Sequence, residues 1–261
     1  MPELDLDLTL FLIVCPLVFL GSFVDAIAGG GGLITLPAYL IAGVPPHMAI
    51  GTNKLSSCVG MAVSAARLAR AGCMHWRQTV PAVAAALAGS TLGALIALKV
   101  PADIFLIVMV AALPFVAGFL LFRSGSLAAE RREMPFERRI VMLVAVSAIC
   151  GIYDGFYGPG AGTFMLIGFS LFAGLDVRNA GGEMKAVNLA SGTAALVTFA
   201  ASGEVLWVLG AAAALFSIAG HYIGAGLVIK NGSRIVRPII FIVLAVLFVQ
   251  TAWDIASGKL F

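Results

Sequence analysis

With 61% hydrophobic and 11% charged residues among 261, and a mean hydropathy of +1.06, the chain lies outside the range of soluble domains of ordinary make-up. The bilayer is its expected solvent: at about 20 apolar residues per crossing the length allows roughly eight to ten passes and no soluble catalytic domain. The net charge of +3 does not point to nucleic acid, because Arg123, Arg131, Arg132, Arg138 and Arg139 share one loop with Glu130, Glu133 and Glu137, the pattern of a cytoplasmic loop under the positive-inside rule.

The start reads Met1, Glu3, Asp5, Asp7, with no Lys or Arg before Lys54. The basic region of a cleavable signal peptide is missing, so the first apolar run is expected to be a retained span. Apolar segments then run over about 8–27, 33–43, 48–69, 77–98 and 104–122, bounded by Gly, Pro and charge clusters, and the second half echoes them from about 139 to 255. The segments at 33–43 and 163–174 are too short to cross as straight helices; a re-entrant path and a short assisted crossing both fit.

Between the first two segments stand Asp25 and then Gly29, Gly30, Gly31 and Gly32; the second half has Asp154 followed by Gly158, Pro159, Gly160 and Gly162. Each glycine costs a helix about 1 kcal/mol against Ala, and Pro159 removes a backbone donor, so both helices are predicted to break here. Amides freed at the next helix start suit an anion and freed carbonyls a cation. Glycines that merely let helices approach closely are the structural alternative. No Lys-Ser or Lys-Thr follows, which excludes a nucleotide loop.

The third segment opens with Gly51, Thr52, Asn53 and Lys54, with Ser57 a turn on; its counterpart has Gly182, Glu183, Met184 and Lys185, with Asn188 a turn on. Unpaired at the midplane, Asp25, Lys54, Asp154, Glu183 and Lys185 would cost about 3 kcal/mol each, on the order of 15 together. They must pair, reach water or bind a solute. Structural pairing, for instance of an Asp with a Lys of its own half, is the structural alternative, and a pair that opens for substrate satisfies both readings.

The two halves are one plan used twice. An offset of 131 places Trp76 on Trp207, Lys54 on Lys185, Lys99 on Lys230, Gly43 on Gly174 and Gly72 on Gly203. Upstream the offset is 129, placing Asp25 on Asp154, Gly29 on Gly158 and Gly31 on Gly160. Charge then sets orientation. Arg67, Arg70 and Arg77 surround the loop after the third segment, where the second half has only Glu204; the next loop has Lys99 with Asp103 against Lys230, Arg234 and Arg237. Matching loops therefore face opposite sides. The expected fold is an all-α polytopic transmembrane bundle of two inverted repeats, 1–128 and 129–261, of about five segments each, broken at the glycine loops, with both termini outside. Gly89 with Gly93 and Gly220 with Gly224 are GxxxG pairs for close helix packing.

Cys15, Cys58, Cys73 and Cys150 lack metal-ligand spacing, and His47, His75 and His221 are too scattered for a local motif, with His221 expected to pack or hydrogen-bond. No metal or cofactor is expected. GxSxG, HExxH and a local Ser, His and Asp group are missing, so no enzyme is expected, short of an intramembrane site assembled from distant residues.

In these residues the chain resembles the TauE/SafE family of sulfite and sulfonate transporters. The resemblance rests on DAIAGGGGLITLPAYLIAGVPPHMAIGTNKLSS (Asp25 to Ser57), YDGFYGPGAGTF (Tyr153 to Phe164) and the Lys185 and Asn188 segment, and covers nearly the whole chain. It implies a polytopic plasma-membrane permease for small anions such as sulfite or short organosulfonates. Glu183 and Met184 stand where the first half has Thr52 and Asn53, and Asn188 where it has Ser57, so the half-sites are not expected to bind alike.

The reading that follows is alternating access. Lys54 and Lys185 supply positive charge; Asn53, Asn188, Thr52, Ser57 and the glycine amides supply polar contacts; Asp25, Asp154 and Glu183 hold the lysines or carry protons. The expected partners are a small anion, membrane lipid and a coupling proton, and a homo-oligomer is compatible with the sequence. The location is the inner membrane, with the basic loop around 123–139 cytoplasmic. An anion channel would use the same charges without a conformational cycle, and a cation or metal carrier would use Asp25, Asp154 and Glu183.

Overall fold

The computed structural model describes residues 8–101, 104, 134–231, 234–235 and 238–239. The fifth segment at 104–122, the matching stretch that ends near 255, the acidic start and most of the basic loop fall outside the described residues. Within them every regular element is a helix, and the helices form two series of matching length. The first is α1 (Leu8–Ala28), α2 (Gly32–Ile41), α3 (Pro46–Arg70) and α4 (Trp76–Ala97); the second is α5 (Phe136–Phe156), α6 (Ala161–Leu171), α7 (Val177–Ala201) and α8 (Trp207–Asn231).

Local chemistry explains the bounds. Pro46 opens α3, where its missing N–H would have no helical partner, and the Asp176 side chain accepts from the Arg178 and Asn179 amides at the start of α7. The predicted breaks lie between α1 and α2 and between α5 and α6. Gly29 takes φ 79° at the first and Gly160 φ 82° at the second, a left-handed backbone that side chains disfavour. Both short helices fold back on the helix before them. A Cβ on Gly21 would lie 2.4 Å from Thr35 Cγ2 and one on Gly168 2.7 Å from Val146 Cγ1, so α2 folds back along α1 and α6 along α5. At 1.5 Å per residue each is about 15 Å long, half the hydrocarbon.

Among the described residues four helices, α1, α4, α5 and α8, are long and apolar enough to cross a membrane. The 25-residue α3 and α7 are as long but carry the polar residues. In lipid, helix association draws little from hydrophobicity and depends on close packing. Gly89 and Gly93 let α4 approach α5, where added Cβ atoms would meet the Ala148 and Ile152 carbonyls at 2.6 and 2.0 Å; Gly220 and Gly224 do the same for α8 against Phe19 and Phe23 of α1. Residue numbers rise together along both contacts, so α4 runs parallel to α5 and α8 parallel to α1. Each first helix thus packs on the fourth helix of the other series.

Two apolar layers sandwich a polar one. One contains Leu68 of α3 with Leu166, Phe169 and Val177; the other contains Ile50 of α3 with Val14, Tyr39, Phe199 and Leu209. The middle stretches of α3 and α7, about 53–64 and 183–191, hold the buried polar side chains between them.

Candidate functional site

Lys54 on α3 meets Asp154 at the end of α5, Nζ to Oδ1 2.8 Å. Lys185 on α7 meets Asp25 at the end of α1, Nζ to Oδ2 2.6 Å, and also donates to the Asp25 carbonyl. The lysines and aspartates do pair, as the structural alternative had it, but the pairing is crossed: each lysine holds the aspartate of the other half, unlike the same-half pair given as an instance. The fold-back turns make this geometry, because each ends its first helix inside the bundle and leaves the aspartate at the broken end. Remaining capacity is filled locally, with the Gly31 amide donating to Asp25 Oδ1 and the Ser191 hydroxyl to Asp154 Oδ2. All four charged side chains are buried, with Lys185 wholly so. Buried pairs survive desolvation only with such added hydrogen bonds.

Between the bridges lies a cavity of about 40 Å³, room for about three waters or an ion of a few atoms. Of the sequence candidates, Asp25, Gly29, Gly31, Gly32, Asn53, Lys54, Ser57, Asp154, Gly158, Gly162 and Asn188 line it. Gly32 and Gly162 sit in the first turns of α2 and α6, whose amides have no partner within their helix. Two buried polar atoms of lining residues, Asn53 Oδ1 and His221 Nε2, have no hydrogen-bond partner among the described residues. Such groups are normally matched by water or solute.

Gly30, Thr52, Gly160, Lys185 and Glu183 do not line the cavity. Lys185 stands behind Asp25, and Gly160 caps α6. Thr52 and Glu183 are equivalent positions with one shared task. Thr52 Oγ1 accepts from the Leu206 amide just before α8, and Glu183 accepts from the His75 amide just before α4 and from Gln78 and Thr79 in its first turn. Glu183 is thus a carboxylate at a helix N-terminus, favoured there by the macrodipole. Its hydrogen bonds go to the start of α4 and it does not line the cavity, which gives it a structural part. Glu183→Ala is expected to lower stability by about 1–3 kcal/mol, the cost of leaving buried donors unmet, while half-saturation for the transported solute stays unchanged; thermal unfolding and concentration-dependent uptake check the two halves of this prediction.

Sequence reasoning missed Gly21, Ser22, Thr35, Met61 and His221, which also line the cavity. A signal existed for two: Gly21, Asp25 and Gly29 recur every four residues with Ser22 beside them, one face of α1. His221 was visible only as a lone polar residue in an apolar run.

The model of the family described as sulfite exporter TauE/SafE matches residues 14–251. The chain belongs to that family. Among its relatives, a probable membrane transporter protein, ORF9, of Sinorhizobium sp is 36% identical over 260 residues, covering 97% of this chain and 96% of the relative. A probable membrane transporter protein of Haemophilus influenzae is 32% identical (96% and 98% covered), and the probable membrane transporter protein YfcA of Escherichia coli K12 is 32% identical (90% and 87% covered). No solved structure matches. The chain is therefore a helical membrane protein of a TauE/SafE transporter family, and the crossed bridges lie within the matched region.

Proposed function

We propose that the protein moves a small anion, of the sulfite or short organosulfonate class, across the inner membrane by alternating access. The observation that carries this reading is the pair of crossed Lys–Asp bridges facing one small polar cavity where both short helices begin. Lys54, Asn53, Asn188 and Ser57 supply the anion's contacts from one side and the first turns of α2 and α6 from the other. An anion displaces the Asp154 carboxylate from Lys54, so the substrate opens a bridge that otherwise keeps both charges satisfied.

The cycle needs two halves that exchange roles, and the helix directions support inverted repeats at 1–128 and 129–261. In the register of the close contacts α3 runs parallel to α8, Gly51 meeting Glu204 and Gly60 meeting Ser217, while α4 runs parallel to α7, Glu183 meeting His75 and Ser90 meeting Ser191. The short turns from α3 to α4 and from α7 to α8 reverse the chain. Equivalent helices therefore point in opposite directions, as in secondary transporters with inverted topology. The basic loop at 123–139 then faces the cytoplasm.

The test is uptake of sulfite, sulfate, thiosulfate, short sulfonates and carboxylates by the purified protein in liposomes. Saturable uptake of one sulfur oxyanion or sulfonate, with exchange of labelled for unlabelled substrate, supports a carrier; single-channel currents overturn alternating access. Lys54→Gln, and Lys54→Gln with Asp154→Asn, which removes both charges, are expected to lose uptake. Unchanged uptake in the folded double variant would remove this bridge from the mechanism.

A further inference from the structure

His221 on α8 is fully buried and lines the cavity. Ser64 Oγ of α3 lies 3.0 Å from the Met61 carbonyl and 3.1 Å from His221 Nδ1. With the hydroxyl hydrogen on that carbonyl, Nδ1 is the donor to Ser64 and Nε2 keeps a bare lone pair; this is the tautomer the proposal takes. That nitrogen has no hydrogen-bond partner among the described residues and lies 3.7 Å from Asp25 Oδ2. Lone pair and carboxylate repel each other unless a proton stands between them.

The charges around the cavity give that proton a purpose. Lys54 and Lys185 are balanced by Asp25 and Asp154, so a monoanion entering this buried site brings a charge that nothing offsets. We propose that His221 and Asp25 together bind one proton with each monoanion, so that the two cross as a neutral pair. The proton comes from water on the open side and adds to the Nε2 lone pair, and the new N–H points to Asp25 Oδ2. The groups facing it are Asp25 of α1, Lys185 of α7 and Ser64 of α3, with Lys54 of α3 also on the cavity wall. An oxygen-seeking cation such as Na⁺ fits less well, because the imidazole nitrogen is a poor ligand for it and Lys185 already holds the carboxylate.

The site occurs once per chain. The position 131 residues before His221 is Ser90, which donates to the Ser191 carbonyl, and Asp154 receives the Ser191 hydroxyl where Asp25 faces an imidazole. One half therefore adds a proton-binding imidazole that the other lacks.

This inference rests on the anion reading, and one experiment separates the two. Uptake of sulfite and of ethanesulfonate is followed in proteoliposomes at mildly acidic pH, where both are monoanions, with the membrane potential set by potassium and valinomycin. The expected result is uptake indifferent to the sign of the potential, driven by an inward proton gradient, and falling about tenfold per pH unit on the alkaline limb, as for one bound proton. In His221→Gln, and equally in His221→Asn, proton-driven uptake is lost and any residual flux follows the potential. Wild-type uptake of either anion that follows the potential overturns the neutral pair and leaves the anion reading standing. Proton-driven uptake retained in either variant overturns the assignment to His221. Folded wild-type protein that moves neither probe overturns both.

Discussion

Lys185→Met is expected to lower stability by about 3–5 kcal/mol and to end transport, because it leaves the Asp25 carboxylate buried without its cation. The loss is larger than for a surface pair: Lys185 is fully buried and gives Asp25 both a 2.6 Å ion pair and a contact to its backbone carbonyl at the broken end of α1. Adding Asp25→Asn should restore most of the stability, since the charge is gone and the side-chain oxygen that accepts from the Gly31 amide remains. Transport should not return with it. Thermal unfolding in detergent reads the first effect and liposome uptake the second; a double variant as unstable as Lys185→Met would show that the lysine acts through packing and not through charge.

Gly29→Ala should be nearly as damaging for a different reason. The residue has φ 79°, which costs an L side chain about 1–2 kcal/mol, and its Cβ would lie 2.4 Å from the Gly162 carbonyl carbon and 2.7 Å from the Thr163 amide. Backbone atoms cannot rotate away, so overpacking adds about 1–3 kcal/mol. Gly43 is the control, with φ 82° and nothing within 4 Å of an added Cβ. Gly43→Ala should therefore cost only the conformational part. The difference between the two unfolding midpoints isolates the contact between the two fold-back turns. That contact forms part of the cavity wall, because Gly29 and Gly162 line it and a Cβ on Gly162 would lie 3.1 Å from Asn188 Nδ2. Uptake should fall in Gly29→Ala and persist in Gly43→Ala.

Most helix bounds were legible because glycine and proline act locally. The run from Gly29 to Gly32 weakens any helix that enters it, so α1 ends before it and α2 starts at its last residue, and the described segments begin and end within a few residues of where composition put them. The lysines and aspartates were legible as a group because each is too costly in lipid to stand alone. Which lysine meets which aspartate was not legible, since Lys54 and Asp154 are 100 residues apart and sequence distance favours partners of the same half. Thr52 and Glu183 looked like site residues because they adjoin Asn53 and Lys54, or Lys185. A helix turns about 100° per residue, so immediate neighbours in sequence face different ways, and both point at helix starts instead.

The sequence by itself determined that the chain belongs in a membrane, that Trp, Lys and Gly recur at a fixed offset, and where its helices break, because burial of apolar residues and the strain of glycine and proline are properties of short stretches. Only the tertiary structure decided that α2 and α6 fold back, that the ion pairs cross between halves, and that His221 reaches the cavity. Those features depend on contacts between helices far apart in the chain, and in lipid such contacts are chosen by close packing and by the need to satisfy every buried polar atom, neither of which a local pattern records.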